Sequence, residues 1–402
     1  MFHIPRQDRS EPDFQDHEFW FLLTVCRINK LHRFVVSDSP QCLTVLFVVL
    51  LAIPLLRADF VPHLIVVGDV PVVTSEAQST FDGPKIGAVN GTSYDTWYFQ
   101  ATSADGKTSA LINFWRSAID EIEPDDQAAS WVEIDVILPN TTIIDRGFIS
   151  NTSSVTATGF GASGVWSGNE NATFVGAPDL STFTIQIDAA EFNGSLTIRS
   201  TTPAQYPGGE PPGSNASAYL APNLYWTNAI PVGVAHCQFT INGELFEIKG
   251  GLGYHDQQWG GLPQEATVRS WYWGHAQAGP YSLVWFDSIA FDGITKYSSV
   301  YLAENGTIIT ASRNVTTTND TFVLPIPSQN SSFPPGFYIN FNGAGKRWSF
   351  VAQNDVQGIH SGNVESNYTM WVGQMRGGEV DSDIVYGTGE WEWNVNPGPV
   401  GP

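Results

Sequence analysis

Residues 250–287 read GGLGYHDQQWGGLPQEATVRSWYWGHAQAGPYSLVWFD, a stretch dense in aromatic side chains and interrupted by glycines. Aromatic and β-branched residues favour extended backbone, so the segments 270–275 and 281–287 each predict a β-strand. Between them, residues 276–280 read AQAGP, which is the composition of a tight connection. The stretch therefore predicts a β-hairpin that follows a glycine-flanked loop.

One face of this hairpin has the composition of a small-molecule pocket. Side chains alternate along a strand. We assume a register in which odd-numbered residues of one strand lie opposite odd-numbered residues of the other. The odd-numbered side chains of both strands then share one face of the hairpin. That face is mostly apolar with a few polar groups, as ligand pockets are. The alternative is a hydrophobic core whose polar tips are satisfied. The residues of this face are Trp271, Trp273, His275, Tyr281, Leu283, Trp285 and Asp287.

The glycine-flanked loop before the hairpin adds polar groups that an inert core does not need. One hairpin face and one loop close in sequence can line a single cavity, and we predict that they do. The structural alternative is a corner in which Asp256 caps backbone amides and Trp259 closes the end of a barrel. We predict a catalytic role for His255, Asp256, Gln257, His275 and Tyr281, and substrate binding by Trp259, Trp271, Trp273, Trp285 and Asp287.

The composition argues against two classes of partner. The chain has 402 residues, a formal charge of −22 and only 18 Lys and Arg. Nucleic acids and anionic membrane surfaces attract basic faces, so the charge supports neither as a partner. Plentiful aromatic and sparse charged residues are typical of a β-rich globular protein with a substantial core. We expect a hydrophobic small molecule as its partner, and the sequence does not indicate an oligomeric state.

An apolar run near the N-terminus predicts entry into the secretory pathway. The segment 43–58 contains the run LTVLFVVLLAIPLL and then Arg-Ala, which matches the apolar core of a signal peptide with cleavage after Ala58. The run is short for a membrane span and contains Pro54. We therefore expect residues 1–58 to be a leader and the mature chain to lack a stable membrane insertion. The polar residues 1–41 indicate a start codon placed too early or a signal anchor with a cytoplasmic tail.

The remaining chain has further features of a secreted protein. Eleven Asn-x-Ser/Thr sequons lie downstream of the candidate cleavage site, which suggests a surface that carries glycans. Cys26 and Cys42 precede that site, so Cys237 lacks a partner for an intrachain disulfide and is predicted to be a buried apolar residue. The sequons are at Asn90, Asn140, Asn151, Asn171, Asn193, Asn215, Asn305, Asn314, Asn319, Asn330 and Asn367.

Beyond the leader the sequence predicts short strands throughout. From Ser93 onward, β-type segments alternate with Gly, Pro, Asn and Asp, and many short strands at close spacing are typical of sandwiches and barrels. The Pro/Gly-rich stretch 201–217 separates two such series and is typical of a long loop or linker. We therefore predict an all-β fold with two β-barrel or sandwich domains in tandem, at 59–228 and 229–402.

Three segments resemble one protein superfamily. Residues 96–99, TWYF, resemble a motif near the start of the AttH/hydroxyneurosporene-synthase-like proteins. Residues 253–260, GYHDQQWG, are similar to their GYxDHxWG-type motif, except that Gln257 stands where the motif has His. Residues 271–281, WYWGHAQAGPY, are similar to the fungal branch that includes the Diels-Alderases.

The resemblance implies two lipocalin-like β domains with a ligand cavity at or near their junction. It also implies a cofactor-free pericyclic reaction of fungal secondary metabolism, a stereoselective Diels-Alder or hetero-Diels-Alder [4+2] cycloaddition. The secretion signal and the sequons fit the hetero-Diels-Alderases of tropolone–sesquiterpenoid pathways, which join a tropolone o-quinone methide to a terpene alkene. A hydrogen-bond donor directed at a carbonyl, and His255 or Asp256 as a general acid, would support that chemistry.

Other classes of function find less support. A carrier would share the aromatic lining without catalysis, and the superfamily also suggests an isoprenoid hydratase. A secreted glycoside hydrolase would need a carboxylate pair, for which residues 390–393, EWEW, supply candidates but no fixed geometry. No dinucleotide or phosphate-binding fingerprint appears, and we expect neither a metal nor a cofactor. No metal-ligand spacing is evident among His236, His255, His275 and His360.

Overall fold

The described part of the molecule is built from β-strands. Within it the chain forms 21 β-strands and no α-helix, which confirms the all-β prediction. No helix in the described ranges has the length and apolar character needed to cross a membrane. The structure, a computed structural model, describes residues 58–62, 65–118, 129–263, 266–313, 336–362 and 367–396.

The strands divide into two sheets along the chain. The first sheet contains β1 (Ala58–Pro62), β2 (Tyr94–Thr102), β3 (Ser109–Ser117), β4 (Trp131–Ile137), β5 (Ile143–Ile149), β6 (Thr152–Thr158), β7 (Gly161–Ser167), β8 (Asn171–Gly176), β9 (Thr182–Ala189), β10 (Phe192–Ser200), β11 (Tyr219–Ala221), β12 (Leu224–Ile241) and β13 (Glu244–Gly260). The second contains β14 (Ser270–Ala278), β15 (Tyr281–Ile289), β16 (Lys296–Glu304), β17 (Thr307–Ser312), β18 (Gly336–Gly343), β19 (Lys346–Gly362), β20 (Asn367–Glu379) and β21 (Val385–Val395).

Two strand pairs lie in the middle of these sheets. The first sheet has the order β1-β6-β7-β8-β9-β10-β12-β13-β2-β3-β4-β5, with β11 paired to β12, and curves as a half-barrel. The second has the order β17-β16-β15-β14-β21-β20-β19-β18 and is a nearly closed barrel. The pairs β13–β2 and β14–β21 are therefore central, and the predicted barrel-like architecture is confirmed.

Alternating side chains give each sheet a core of its own. On β2, Trp97 and Phe99 point into the first core and pack on Phe174, with ring centres 5.7 and 5.4 Å apart. On β14 and β15, Tyr272 and Trp285 belong to the second core. Burial of apolar surface, at about 25 cal/mol per Å², stabilises both cores.

A third apolar cluster lies between the two sheets. From the first sheet it takes Trp226 and Tyr254, and from the second it takes Trp271, Trp273 and Phe286. Trp226 and Phe286 meet across the boundary with ring centres 5.8 Å apart. The faces of the two sheets that point away from their own cores are thus buried against each other.

The predicted border between the two β domains falls inside a strand. Position 228/229 lies within β12, whereas the chain passes from the first sheet to the second between Gly260 and Ser270. The Pro/Gly-rich stretch 201–217 instead belongs to the part of the chain that connects β10 to β11 and β12 of the same sheet. The division into domains stays a prediction.

Several predictions for the leader and the surface fall outside the described residues. These include the signal-like residues 43–57 together with Asn314, Asn319 and Asn330. The sequon asparagines described with their side chains are exposed or half-buried, and glycosylation and secretion stay predictions. Cys237 is free and buried in the first core, as predicted.

Candidate active site

The hairpin of β14 and β15 has a register different from the predicted one. Ala278 opposes Tyr281 across the turn formed by Gly279 and Pro280, and His275 opposes Val284. Because the connection contains two residues, each odd-numbered residue of one strand lies opposite an even-numbered residue of the other. Consequently the face that carries Trp271, Trp273 and His275 continues on β15 with Val284 and Phe286, not with odd-numbered residues.

Tyr281, Trp285 and Asp287 consequently lie on the opposite face of the hairpin. Tyr281 packs edge-on against Trp348, with ring centres 5.3 Å apart, and Trp285 belongs to the second core. Burial raises the pKa of Asp287 to about 7. The structure does not bring these three predicted site residues together with Trp273 and His275.

The predicted loop around His255 is part of β13, a strand of 17 residues. Alternation sends His255, Gln257 and Trp259 into the first core. The ring of His255 stacks on Phe99 at 4.0 Å, and its Nε2 lies 3.2 Å from Asp82 Oδ1. Gln257 Nε2 donates to Asp95 Oδ1 over 2.8 Å, and Trp259 Nε1 donates to Val73 O over 2.6 Å. The structure therefore does not bring these three side chains to the hairpin face, and their roles in a site stay a prediction.

Asp256 points the other way, toward the second sheet. Its Oδ2 accepts hydrogen bonds from Trp226 Nε1 at 2.6 Å and from Tyr254 Oη at 2.7 Å, so it caps no backbone amide there. Asn228 Oδ1 lies 2.8 Å from the same Tyr254 oxygen. Burial raises the pKa of Asp256 to about 6 although both hydrogen bonds favour the charged form.

Two rows of cross-strand pairs face each other between the sheets. We call them the first ladder, on β2 and β13, and the second ladder, on β14 and β21. Cross-strand partners on one face lie about 4.5–5.5 Å apart at Cβ, so each pair acts as a unit. The first ladder consists of Tyr98 with Asp256, Gln100 with Tyr254, and Thr102 with Leu252. The second consists of Trp271 with Asn394, Trp273 with Glu392, His275 with Glu390, and Gln277 with Thr388.

Polar and aromatic contacts join the two ladders. Gln100 Oε1 lies 2.6 Å from His275 Nε2, and Thr102 Oγ1 donates to Glu390 Oε2 over 2.9 Å. The ring of Tyr254 stacks on His275 with centres 4.5 Å apart. The ladders therefore hold His275 and Glu390 in fixed orientations.

His275 is uncharged in this setting. Burial lowers its pKa to about 3, because the imidazolium would lose its hydration. A neutral imidazole carries one N–H, and the short contact with Gln100 Oε1 places it on Nε2. Nδ1 is then a hydrogen-bond acceptor.

The carboxyl groups of the second ladder also favour the uncharged form. Burial raises the pKa of Glu390 well above its ordinary value, and the neighbouring charge of Glu392 raises it further. Burial likewise raises the pKa of Glu392 to about 7, although Trp271 Nε1 donates to its Oε1 over 3.2 Å. Burial therefore favours the protonated form of Glu390, and Glu392 titrates close to neutral pH.

An open cleft of about 740 Å³ reaches the outer ends of both ladders. Its lining includes Gln277 and Thr388 of the second ladder and Leu252 of the first. Residues two apart on a strand face the same side, so His275 and Glu390 lie one residue pair further inward than this lining, where both are fully buried. The volume falls in the range of about 300–1,000 Å³ that small-molecule pockets have. Within the described ranges no three His, Cys, Asp or Glu side chains converge so that they could hold a metal ion.

Sequence reasoning missed most of the first ladder. Tyr98 lies in the segment 96–99 and Tyr254 in the segment 253–260. Because side chains alternate along a strand, the sequence could have placed these two tyrosines on the face opposite to Phe99 and His255. Gln100 carries no comparable signal. The alternating EWEW of residues 390–393 does carry one, since it places both carboxyls on one face and both indoles on the other.

Comparison with known proteins identifies the family. A family model described as Diels-Alderase-like matches residues 65–393, which is most of the chain. The chain belongs to the Diels-Alderase-like family. The resemblance of its motifs to the fungal Diels-Alderases is thereby confirmed, as is the prediction of an enzyme of the cyclase or isomerase class.

Two relatives and one solved structure illustrate the similarity. The chain is 33% identical over 323 residues to the quinolone epoxide rearrangement protein penF of Penicillium thymicola, covering 75% of this chain and 86% of that protein. It is 29% identical over 232 residues to the Diels-Alderase cheD of Chaetomium globosum, covering 57% and 54%. The crystal structure of CghA with Sch210972 shares the fold, with a TM-score of 0.70 at 21% identity, covering 84% of this chain and 98% of that one.

Proposed function

We propose that the chain catalyses a stereoselective [4+2] cycloaddition of a hydrophobic small molecule at the floor of the cleft, between the two ladders. The observation that carries the proposal is a set of buried hydrogen-bonding groups that favour the uncharged form, His275 and Glu390 above all, between aromatic side chains and one residue pair behind the lining of an open cleft. Membership in the Diels-Alderase-like family supports the same reaction class.

Positioning is the larger contribution to such a reaction. A cycloaddition needs no covalent help, and holding diene and dienophile in reactive contact lowers the barrier by up to about 7–11 kcal/mol in model systems. The rings of Tyr98, Tyr254 and Trp273 lie 5.1–6.1 Å apart in mutual edge-to-face arrangements. Such rigid aromatic side chains can fix the fold of a polyene.

A neutral donor supplies the second contribution. Charge shifts toward the carbonyl oxygen of the dienophile or diene as the ring closes, and a preorganised donor in a dry site stabilises that charge. Protonated Glu390 is such a donor, held by Thr102. It needs no counter-ion and so does not introduce a charge into an apolar site.

The finer substrate assignment rests on the leader and the sequons. We propose a tropolone o-quinone methide and a terpene alkene as reactants of a secreted enzyme. Forming the methide by loss of water needs a general acid, and Asp256 and Glu392, with raised pKa values of about 6 and 7, are candidates between the sheets. His255 was the other candidate from the sequence, but it points into the first core.

A second candidate is acid-assisted rearrangement of an epoxide. Two relatives at 33% and 32% identity are named quinolone epoxide rearrangement proteins, which favours this reaction. A protonated Glu390 or Glu392 would give its proton to the epoxide oxygen as the C–O bond breaks. The carboxylate would regain a proton when the rearranged carbocation loses one, so the enzyme returns to its starting state.

Product analysis separates these functions. The purified chain would be incubated with a polyene bearing an unsaturated carbonyl, with a tropolone methide precursor plus a terpene, and with a quinolone epoxide. We expect faster [4+2] closure of the polyene or the methide pair and one dominant stereoisomer by chiral chromatography. Turnover of the epoxide alone would favour rearrangement. Binding with unchanged rates and product ratios would favour the carrier, and hydration of an isoprenoid or release of sugars would favour the two remaining alternatives.

A further inference from the structure

We propose that the His275–Glu390 pair binds a planar group in which a hydrogen-bond donor stands beside a carbonyl, as N–H stands beside C=O in a lactam. The inference rests on the proposed function in placing the substrate between the ladders. It goes beyond that function because it names the chemical group by which the substrate is held. Two buried atoms without partners carry it: His275 Nδ1 and Glu390 Oε1.

His275 offers an acceptor and nothing else. The residue is fully buried, its Nε2 is engaged by Gln100 Oε1 at 2.6 Å, and its Nδ1 has no hydrogen-bond partner. With the proton on Nε2, the Nδ1 lone pair can be satisfied only by a donor such as N–H or O–H. Stacking on Tyr254 prevents the ring from turning away.

Glu390 offers the complementary group. It is also fully buried, its Oε2 accepts from Thr102 Oγ1 at 2.9 Å, and its Oε1 has no partner within hydrogen-bond distance. The side chains of Thr102 and Ser109 lower the pKa of this carboxyl by less than burial raises it. A protonated carboxyl has one donor, and burial favours that form. The oxygen that does not accept from Thr102 is the one free to carry the proton and donate it to a carbonyl.

The two atoms belong to directly opposed residues. His275 and Glu390 are cross-strand partners on β14 and β21, so their Cβ atoms lie about 4.5–5.5 Å apart on one face. A donor and a carbonyl on adjacent ligand atoms can span that gap with one hydrogen bond each. The next pair outward, Gln277 with Thr388, lines the cleft. Two residues of a strand span about 7 Å, which is therefore the distance along the strands between the cleft lining and the His275–Glu390 pair.

The aromatic surroundings select a flat, uncharged ligand. Tyr254 and Trp273 flank His275, with ring centres 4.5 and 5.7 Å from the imidazole. Leaving His275 Nδ1 and Glu390 Oε1 buried and unpaired destabilises the empty site, so a ligand that satisfies both atoms binds more tightly. A ligand that lacks the donor leaves Nδ1 buried and unpaired.

The test compares two probes on the purified full chain. 2-Quinolone has N–H beside C=O, and N-methyl-2-quinolone lacks only the donor. Their dissociation constants would be measured by quenching of tryptophan fluorescence and by calorimetry. We expect 2-quinolone to bind about tenfold or more tightly than the methylated probe. Equal dissociation constants, or no saturable binding of 2-quinolone up to about 1 mM, would overturn the assignment.

Variants locate the effect. His275→Phe keeps an aromatic ring at this position but removes the Nδ1 acceptor, so the preference for 2-quinolone over the methylated probe should disappear. His236→Phe is the matched control, because His236 is an exposed histidine on β12, and it should keep the full preference. An unchanged preference in His275→Phe contradicts the inference even if the chain proves to be a cyclase. A preference that depends on His275 in a chain without cyclase activity contradicts only the proposed function.

Discussion

Buried polar atoms without partners mark the facing ladders. Tyr98 Oη, His275 Nδ1 and Asp256 Oδ1 are all buried and none accepts or donates a hydrogen bond. Each such atom costs about 1–3 kcal/mol of stability, which a fold retains where a ligand can satisfy the group. Function and stability should therefore separate when one of these atoms is removed.

Tyr98→Phe tests that separation. The variant deletes only an unpartnered hydroxyl, so we expect an unchanged or slightly higher free energy of unfolding in urea. If the hydroxyl donates to the reacting substrate, the cyclisation rate should fall about tenfold. Tyr338→Phe, at an exposed tyrosine of β18, is the control and should change neither quantity. A large loss of stability with full activity in the folded fraction would contradict this role.

The acid role of Glu392 predicts a pH-dependent rate. A carboxyl whose pKa is about 7 can donate a proton below that value, so an acid-dependent rate should decline as the pH rises through about 7. Tyr368, Trp271, Asp256 and Glu133 face this group and also influence its titration. In Glu392→Gln the rate that remains should no longer decline as the pH rises through about 7. An identical pH profile in that variant would exclude Glu392 as the acid.

The same shift predicts a pH dependence of stability. The pKa of Glu392 is higher in the folded chain than the ordinary value of 4.5, so the folded state holds its proton more tightly than the unfolded state. Its contribution should be fully present below pH 4.5 and be lost as the pH rises to about 7. Urea unfolding on either side of this range should show a smaller decline in Glu392→Gln than in the original chain. Asp256 and Asp287 add declines of the same sign in both proteins.

The β14–β15 hairpin shows what its sequence could predict and what it could not. Aromatic residues on either side of Gly279 and Pro280 predicted two strands, and both are present. Their register depends on whether the connection has an odd or an even number of residues, and composition does not fix that number. A shift by one residue moved Tyr281, Trp285 and Asp287 to the other face.

Gly279 fixes this turn and can be tested directly. It adopts φ 53°, in the left-handed region, and an added Cβ would lie 2.8 Å from Cβ of Val385. Gly279→Ala should therefore lower the free energy of unfolding by more than the roughly 1 kcal/mol expected from backbone strain alone. Gly345→Ala is the matched control: its φ is 75° in the β18–β19 turn, and no atom lies within 4 Å of an added Cβ. Equal losses would show that the contact with Val385 does not matter.

The whole molecule depends on contacts that no local pattern reports. The sequence predicted the all-β class, the family and the second-ladder residues Trp271, Trp273 and His275, because aromatic density and motifs are local. It did not predict that Gln100 meets His275, since 175 positions separate them. Such a pairing follows only from how two sheets pack, which local sequence patterns do not specify.

Secretion is a property of the whole chain that the described residues do not test. The signal-like segment 43–58 and the sequons predict a mature N-terminus near Asp59 and N-linked glycans. Mass spectrometry of the chain secreted from a fungal host, before and after enzymatic deglycosylation, measures both. A mature chain that retains its leader, or one whose mass does not change on deglycosylation, would count against secretion by this route.

The central claim is that substrate reacts on the face of the hairpin that looks toward the first sheet. The hairpin offers a matched pair, because Trp273 and Trp285 are both almost fully buried but lie on opposite faces. Replacing either by Leu should cost stability, about 2–4 kcal/mol. The ratio of product stereoisomers does not depend on the folded fraction, so it separates the two roles. We predict that Trp273→Leu lowers the ratio of the major to the minor stereoisomer and that Trp285→Leu leaves this ratio unchanged. A lower ratio in Trp285→Leu with an unchanged ratio in Trp273→Leu would contradict a site on the Trp273 face.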